Sequence, residues 1–337
     1  MRLARLATTA IAAAALLTGC GGGGGATDTA PTQAPETYKY LKVNLPDKAG
    51  PHDAGFLLAH QLGYFPPTKL HVWFIAPSHP ARPPMYVEEE LVDAAIVHEP
   101  QLIQARDDGR PLVAFGSLVP HPTMAMIWLK GSGIDSVADL KGKTIAYPGI
   151  RFQKDFLEAA LERAGLTPGD VKIKSVSYYL ESELIHHRAD AIFGGSAYIE
   201  GKLLEAHGLE PVVTPARKLG IPDYDELVLI TRRDRYAEDP RSFQSLTEAT
   251  TRGGMTVADR PGAATKAIVH QKEYEDSARP NLPIHRKTIR AGVEEIAPRF
   301  SHTGEINRVK LQRLVDWMYA RGMIKRKWQA SELLAGP

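Results

Sequence analysis

Four ionisable side chains stand where open α/β sheets usually meet their ligands: Asp53, His98, Glu99 and His121. Each follows an apolar run that reads as a strand, directly or through a loop, and loops beyond the carboxyl ends of parallel strands collect ligands. Carboxylates and imidazoles on such a rim can accept, donate or move protons. Each also has a structural role open to it: Asp53 as a helix cap, His98 and Glu99 as loop residues, His121 as part of a proline turn. Gly149 ends a Pro148-Gly149 turn ahead of an amphipathic stretch. A glycine turn entering a helix can offer free N–H groups to an anion or a polar group. His186 and His187 are neighbours on an expected helix, where side chains point about 100° apart, so they do not chelate one ion. Cys20 is the single cysteine, which rules out a disulfide within the chain and a cysteine-based zinc site. No metal and no cofactor is expected.

These residues must be positioned by alternating strands and helices. Tyr38 to Leu45, His71 to Ile75, Val92 to Val97 and Leu112 to Leu118 read as strands, with helices from Phe56 to Gly63 and from Leu102 to Asp108. Further on, Thr144 to Tyr147, Val171 to Val176 and Ala189 to Phe193 read as strands around a helix from Phe152 to Ala164. Such alternation predicts an α/β fold with mostly parallel sheets. Two stretches share another form, a turn followed by a fully apolar run. These are His121-Pro122-Thr123 before Met124 to Leu129, and Gly220-Ile221-Pro222-Asp223-Tyr224 before Leu227 to Thr231. They are expected to carry the chain from one lobe into a second and back, with a ligand held between the lobes. The expected first lobe is 38–130 with 232–337, and the second is 131–231.

The beginning of the chain has a different character. Arg2 and Arg5 precede an apolar, Ala-rich stretch from Leu6 to Leu17, too short to span a bilayer, ending in Leu17-Thr18-Gly19-Cys20. This looks like the lipobox of a bacterial lipoprotein, with 1–19 removed and Cys20 lipidated. Residues 20–37, opening on Gly21 to Gly25, read as a flexible tether. The expectation is a protein held by lipid on the outer side of the cell membrane.

Several segments together resemble the type II periplasmic-binding-protein fold: His52-Asp53-Ala54-Gly55 with Gly63-Tyr64-Phe65, Val92-Asp93-Ala94-Ala95 with Glu99-Pro100-Gln101-Leu102, Asp139 to Lys143, Ala189-Asp190-Ala191-Ile192, Glu200, and Gly220 to Leu227. More closely, the chain resembles the SsuA/THI5-like, NMT1-type solute-binding lipoproteins. That group includes the receptors for thiamine pyrimidine precursors and riboflavin, and it is related to nitrate and sulfonate binders and to fungal pyrimidine synthases. The resemblance implies a two-lobed receptor that delivers a flat heterocycle to an ABC permease with a separate ATPase subunit. It implies Glu200 as the ligand carboxylate and Tyr224 as an aromatic that stacks on the ring. Where the family often carries an aromatic followed by Trp or Arg, this chain has Ser196 and Ala197, so that wall would be smaller, or Tyr198 or Trp128 would supply it.

Composition sets the other boundaries. With 41 Lys plus Arg against 39 Asp plus Glu, the net charge of +2 gives no support to a nucleic-acid partner. No GxxxxGK[ST] phosphate loop is present, so any ATPase is another chain. The synthases' cysteine cluster is also missing, which argues against the enzyme reading. The expectation is a monomeric binding protein, not an enzyme, for a thiamine pyrimidine precursor such as formyl-aminopyrimidine. Riboflavin or another small solute is the alternative ligand, and an enzyme of the same fold ranks below both.

Overall fold

The computed structural model describes residues 38–271, 282–302 and 304–336. Cys20, the leader and the tether all lie outside the described residues.

The apolar runs fold as strands of two five-stranded sheets. The first sheet takes β1 (Lys39–Asn44), β2 (Leu70–Ile75), β3 (Ala94–Val97) and β4 (Leu112–Val119). The second takes β5 (Met124–Leu129), β6 (Thr144–Tyr147), β7 (Lys172–Ser175), β8 (Ala191–Ser196) and β9 (Pro211–Pro215). The last strand, β10 (Leu227–Arg232), returns to the first sheet, giving the orders β2-β1-β3-β10-β4 and β7-β6-β8-β5-β9. β3 and β10, in the interior of their sheet, are buried almost throughout, as their unbroken apolar sequences require. β7 is an edge strand and keeps the polar sequence KIKS.

The sheets are mixed, not mostly parallel. β1 runs parallel to β2 and β3, but β10 is antiparallel to β3 and β4. β5 is likewise antiparallel to β8 and β9. The crossing strands cause this. Each enters its sheet from the other lobe, without the covering helix that a parallel crossover needs. Strand pairing also shifts the expected boundaries. Met124–Leu129 belongs with the second sheet and Leu227–Arg232 with the first, so the crossings are the loops before these strands.

Helices cover both faces. In the helix Arg151–Arg163, Phe152, Phe156, Leu157, Ala160 and Leu161 fall on one buried face at helical spacing. The helix Ala54–Gln61 crosses the long helix Pro240–Asp259 at glycines. A Cβ on Gly253 would lie 2.1 Å from the Gly55 carbonyl oxygen, so only glycine allows this approach. The lobes also touch outside the crossings. Gln104 donates to Asp155 at 2.6 Å, and Trp317 of the helix Arg308–Ala320 meets Phe156 edge-on at 5.1 Å. No helix of the described residues is long and apolar enough to cross a membrane.

Candidate functional site

A slot with about 90 Å³ of free space lies between the lobes. Pro46, Asp47, His52, Pro80 and His98 line it from the first lobe, and Pro148, Gln153, Tyr178, Tyr179, Ser196, Tyr198 and Glu200 from the second. Thr123 and Glu226, from the two crossings, form its floor.

Glu226 organises that floor. One carboxylate oxygen, Oε2, accepts the N–H groups of Thr123 at 2.6 Å and Met124 at 3.2 Å and the hydroxyl of Tyr224 at 3.3 Å. The other, Oε1, lies 2.8 Å from His98 Nδ1. An ionised carboxylate only accepts, so His98 carries its proton on Nδ1. Burial pushes the Glu226 carboxyl up, but the hydrogen bond and charge of His98 and the two backbone donors outweigh it and hold the group below its ordinary range. One side chain thus joins the outgoing crossing, the returning crossing and the end of β3.

Glu200 sits on a π-helical turn, Ala197–Gly201, directly after β8. The wider turn carries the carboxylate back over the strand end, where Ser196 donates to Oε2 from its N–H at 2.6 Å and its hydroxyl at 3.2 Å. A Cβ on Gly195 would stand 3.2 Å from that carboxylate oxygen, so the glycine makes room for it. Among the described residues no donor meets Oε1 of Glu200. Burial, ahead of the charge of Glu181, pushes its pKa up to about 7. Tyr198, on the same turn, lines the slot and shares a 3.0 Å hydrogen bond with the Thr123 hydroxyl; burial and the nearby Glu226 hold its phenol protonated. Of the two aromatics expected to replace the missing wall, Tyr198 lines the slot, whereas Trp128 is buried within its sheet.

The first-lobe wall holds a second charged group. His52 Nε2 is 3.1 Å from Asp53 Oδ2, which also accepts the Gly50 N–H at 3.1 Å. Burial works against a charged imidazole here, but Asp53, Asp47 and Glu200 outweigh it and push His52 up to about 9. Asp53 occupies the cap position of the helix Ala54–Gln61 without bonding its N–H groups. Its side chain serves His52 instead, and it lies beneath the slot, not on it.

The remaining expected site residues separate. His98 lines the slot, but Glu99 and His121 do not share its rim. Glu99 is buried behind the returning crossing, where it accepts the Asp225 N–H at 3.1 Å, and burial with the Asp225 charge holds it well above its ordinary range. Lys310 completes that cluster, 2.5 Å from Asp225. His121 pairs with Asp223 at 3.1 Å on a separate surface hollow. The physical reason is the helix that begins at Glu99. Its first turn points Glu99 away from His98, and the proline turn directs His121 outward. Tyr224 is fully buried with its ring edge against Phe156 at 6.1 Å, so it offers no face to a ligand and acts through its bond to Glu226. Gly149 has φ +81° and lies between two lining residues, Pro148 and Ile150. The slot also holds Asp47, His52, Gln153 and Glu226, none of which sequence reasoning selected. Glu226 and His52 lay within the segments that carried the resemblance. Asp47 follows a strand end just as Asp53 does, and that position was its available signal. Among the described residues no group of three or more His, Cys, Asp or Glu side chains could hold a metal ion.

Two lobes with mixed five-stranded sheets, joined by two crossings beside a slot, define the architecture of periplasmic binding proteins. The alkanesulfonate-binding protein SsuA from Xanthomonas axonopodis pv. citri has this fold, with a TM-score of 0.68 at 15% identity over 88% of this chain and 97% of its own. The family model described as NMT1/THI5 like matches residues 51–264, and the chain belongs to that family. A Haemophilus influenzae protein named for thiamine biosynthesis is 30% identical over 280 residues, 82% of this chain and 85% of its own. A formylaminopyrimidine-binding protein of Halalkalibacterium halodurans is 28% identical over 216 residues, 64% of this chain and 66% of its own. A relative from Schizosaccharomyces pombe, named 4-amino-5-hydroxymethyl-2-methylpyrimidine phosphate synthase, is 32% identical over 123 residues, 36% of this chain and 35% of its own.

Proposed function

We propose that this chain is the solute receptor of an ABC importer, and that it takes an aminopyrimidine precursor of thiamine, such as formyl-aminopyrimidine, into the slot. The observation that carries this reading is Glu200, a carboxylate with one oxygen held by Ser196 and the other open, on the wall of a narrow cleft between two lobes. An aminopyrimidine presents an exocyclic amino group beside a ring nitrogen that protonates readily, and a carboxylate binds that edge through charge-assisted hydrogen bonds. The name of the Halalkalibacterium halodurans relative supports the same ligand class.

Closure brings the walls together by a hinge at the two crossings. Tyr178 of the second lobe donates to the Pro77 carbonyl of the first at 2.6 Å, a contact that opening would break. The receptor would be monomeric, anchored outside the cell membrane through Cys20, and would dock on a permease whose ATPase is a separate subunit. Relatives named as synthases make catalysis the competing activity, and the receptor reading expects the ligand to be released unchanged.

A thermal-shift screen of the full chain tests this against aminopyrimidines, riboflavin, nucleobases and sulfonates. A ligand at 100 times its Kd adds about 2.7 kcal/mol of stability. The expected result is a shift with an aminopyrimidine that Glu200→Gln removes, and recovery of that ligand intact. A shift with riboflavin alone, or chemical turnover, would overturn the assignment.

A further inference from the structure

Glu200 accounts for one wall of the slot. Facing it from the first lobe is Asp47, in the loop after β1. We propose that Asp47 is a second ligand carboxylate, and that the slot selects heterocycles with hydrogen-bond donors on two edges, one for each lobe. This rests on the receptor reading above and adds which part of the ligand is recognised.

The two carboxylates are built alike. Asp47 Oδ1 accepts the Lys48 N–H at 2.6 Å, as Glu200 Oε2 accepts the Ser196 N–H, and in each case the second oxygen has no partner among the described residues. The loop that carries Asp47 is held over the slot. Lys48 Nζ hydrogen-bonds the Tyr179 hydroxyl of the second lobe and lies 4.2 Å from the centre of its ring. A third acceptor faces the same space. Gln153 is 2% exposed, lines the slot, and its carbonyl Oε1 is buried without a hydrogen-bond partner. Gly194, at φ +98°, admits it, since a Cβ there would lie 3.0 Å from the Gln153 amide. Tyr198 is engaged with Thr123, while His52, 3.1 Å from Asp53, shares its charge among Asp53, Asp47 and Glu200. Burial, ahead of all other influences, pushes both carboxyls up to about 7, even though each keeps a backbone N–H on one oxygen.

Such a slot rejects sulfonates and carboxylates, which bring only acceptors. It also disfavours the dione edge of a flavin, where a single N–H stands between two carbonyl oxygens. An aminopyrimidine gives Glu200 its amino and ring-nitrogen edge. Asp47 then meets the substituent on carbon 5, and a formylamino, aminomethyl or hydroxymethyl group provides the donor that a plain methyl lacks. An unmet buried acceptor is costly, so discrimination between these substituents is large.

Calorimetry with two probes tests this: 4-amino-5-aminomethyl-2-methylpyrimidine and 4-amino-2,5-dimethylpyrimidine. The wild-type chain should bind the aminomethyl compound at least about tenfold more tightly. Asp47→Asn should remove that preference and leave the affinity for the dimethyl compound within about twofold, whereas Glu200→Gln should weaken both. Asp47→Ala serves the same comparison if the Asn variant does not fold, with circular dichroism as the check. If wild type prefers the aminomethyl compound and both Asp47 variants keep that preference, the Asp47 assignment is overturned while the receptor reading stands. Equal binding of the two probes by wild type also overturns it. If wild type binds neither, the receptor reading itself fails.

Discussion

At the scale of single residues, Glu226 shows how a group that need not touch the ligand can decide the site. Its carboxylate meets donors from Thr123, Met124, Tyr224 and His98, all converging on a side chain 3% exposed. Removing it strands His98 and two backbone N–H groups in a buried place. Breaking a buried, hydrogen-bonded charge pair costs about 3–5 kcal/mol, so Glu226→Ala should lower the unfolding free energy by that order in a urea titration. Glu226→Gln keeps the shape and should lose less. The carboxyl is held below its ordinary range, so its contribution is present above an unfolded value near 4.5 and is lost as pH falls through the lower folded value.

At the scale of elements, the π-helical turn Ala197–Gly201 is the piece whose placement matters most for the ligand. The helix Leu282–Ile296 of the first lobe packs against it so closely that a Cβ on Gly292 would lie 2.2 Å from the Tyr198 carbonyl oxygen. Gly292→Ala therefore must move either the helix or the turn that carries Glu200. The expected outcome is weaker aminopyrimidine binding in calorimetry, together with a loss of about 1–3 kcal/mol of stability from overpacking. Gly262→Ala is the control. It lies in the helix Pro261–Val269 with nothing within 4 Å of the added Cβ, and helix propensity alone should make it neutral or more stable by up to about 1 kcal/mol.

At the scale of the whole molecule, three groups around the slot share one direction of linkage. Asp47 and Glu200 rise from 3.8 and 4.5 to about 7, so between those values the folded chain holds protons that the unfolded chain has released. Stability therefore falls as pH rises through that window. His52 rises from 6.5 to about 9, and the stability it contributes is complete below 6.5 and lost as pH rises through 9. The melting temperature of the unliganded chain should accordingly decline from about pH 5 to about pH 9. Glu200→Gln should flatten the part below pH 7 and shorten the upper part only slightly, since Asp53 and Asp47 act on His52 more strongly than Glu200 does. A melting temperature that climbs with pH over this range would contradict the charge arrangement described for the slot.

Much of this was legible in the chain itself. The unbroken apolar runs Met124–Leu129 and Leu227–Arg232 marked the crossing strands because a strand covered on both faces cannot alternate. The helix from Arg151 showed its buried face by spacing alone, and His98 stood out as a polar residue at a strand end, whereas Glu200 was singled out only by the family resemblance. Local pattern carries this information because it reports which face of each element is buried. Partnership across the fold is not local. Whether Glu99 meets the slot or a buried cluster with Lys310 depends on the direction of one helical turn and on a helix more than two hundred residues later. Tyr224 reads as a stacking aromatic in its turn, yet the returning chain folds it against Phe156 and turns its hydroxyl to Glu226. Asp47 lies in an unremarked Pro/Gly loop and becomes a wall of the slot only when Lys48 meets Tyr179 of the other lobe. Sequence determined the elements and the two-lobed family, and its resemblance to that family singled out Glu200. Tertiary structure decided which polar groups face each other, because burial and charge act through space between residues the chain keeps far apart.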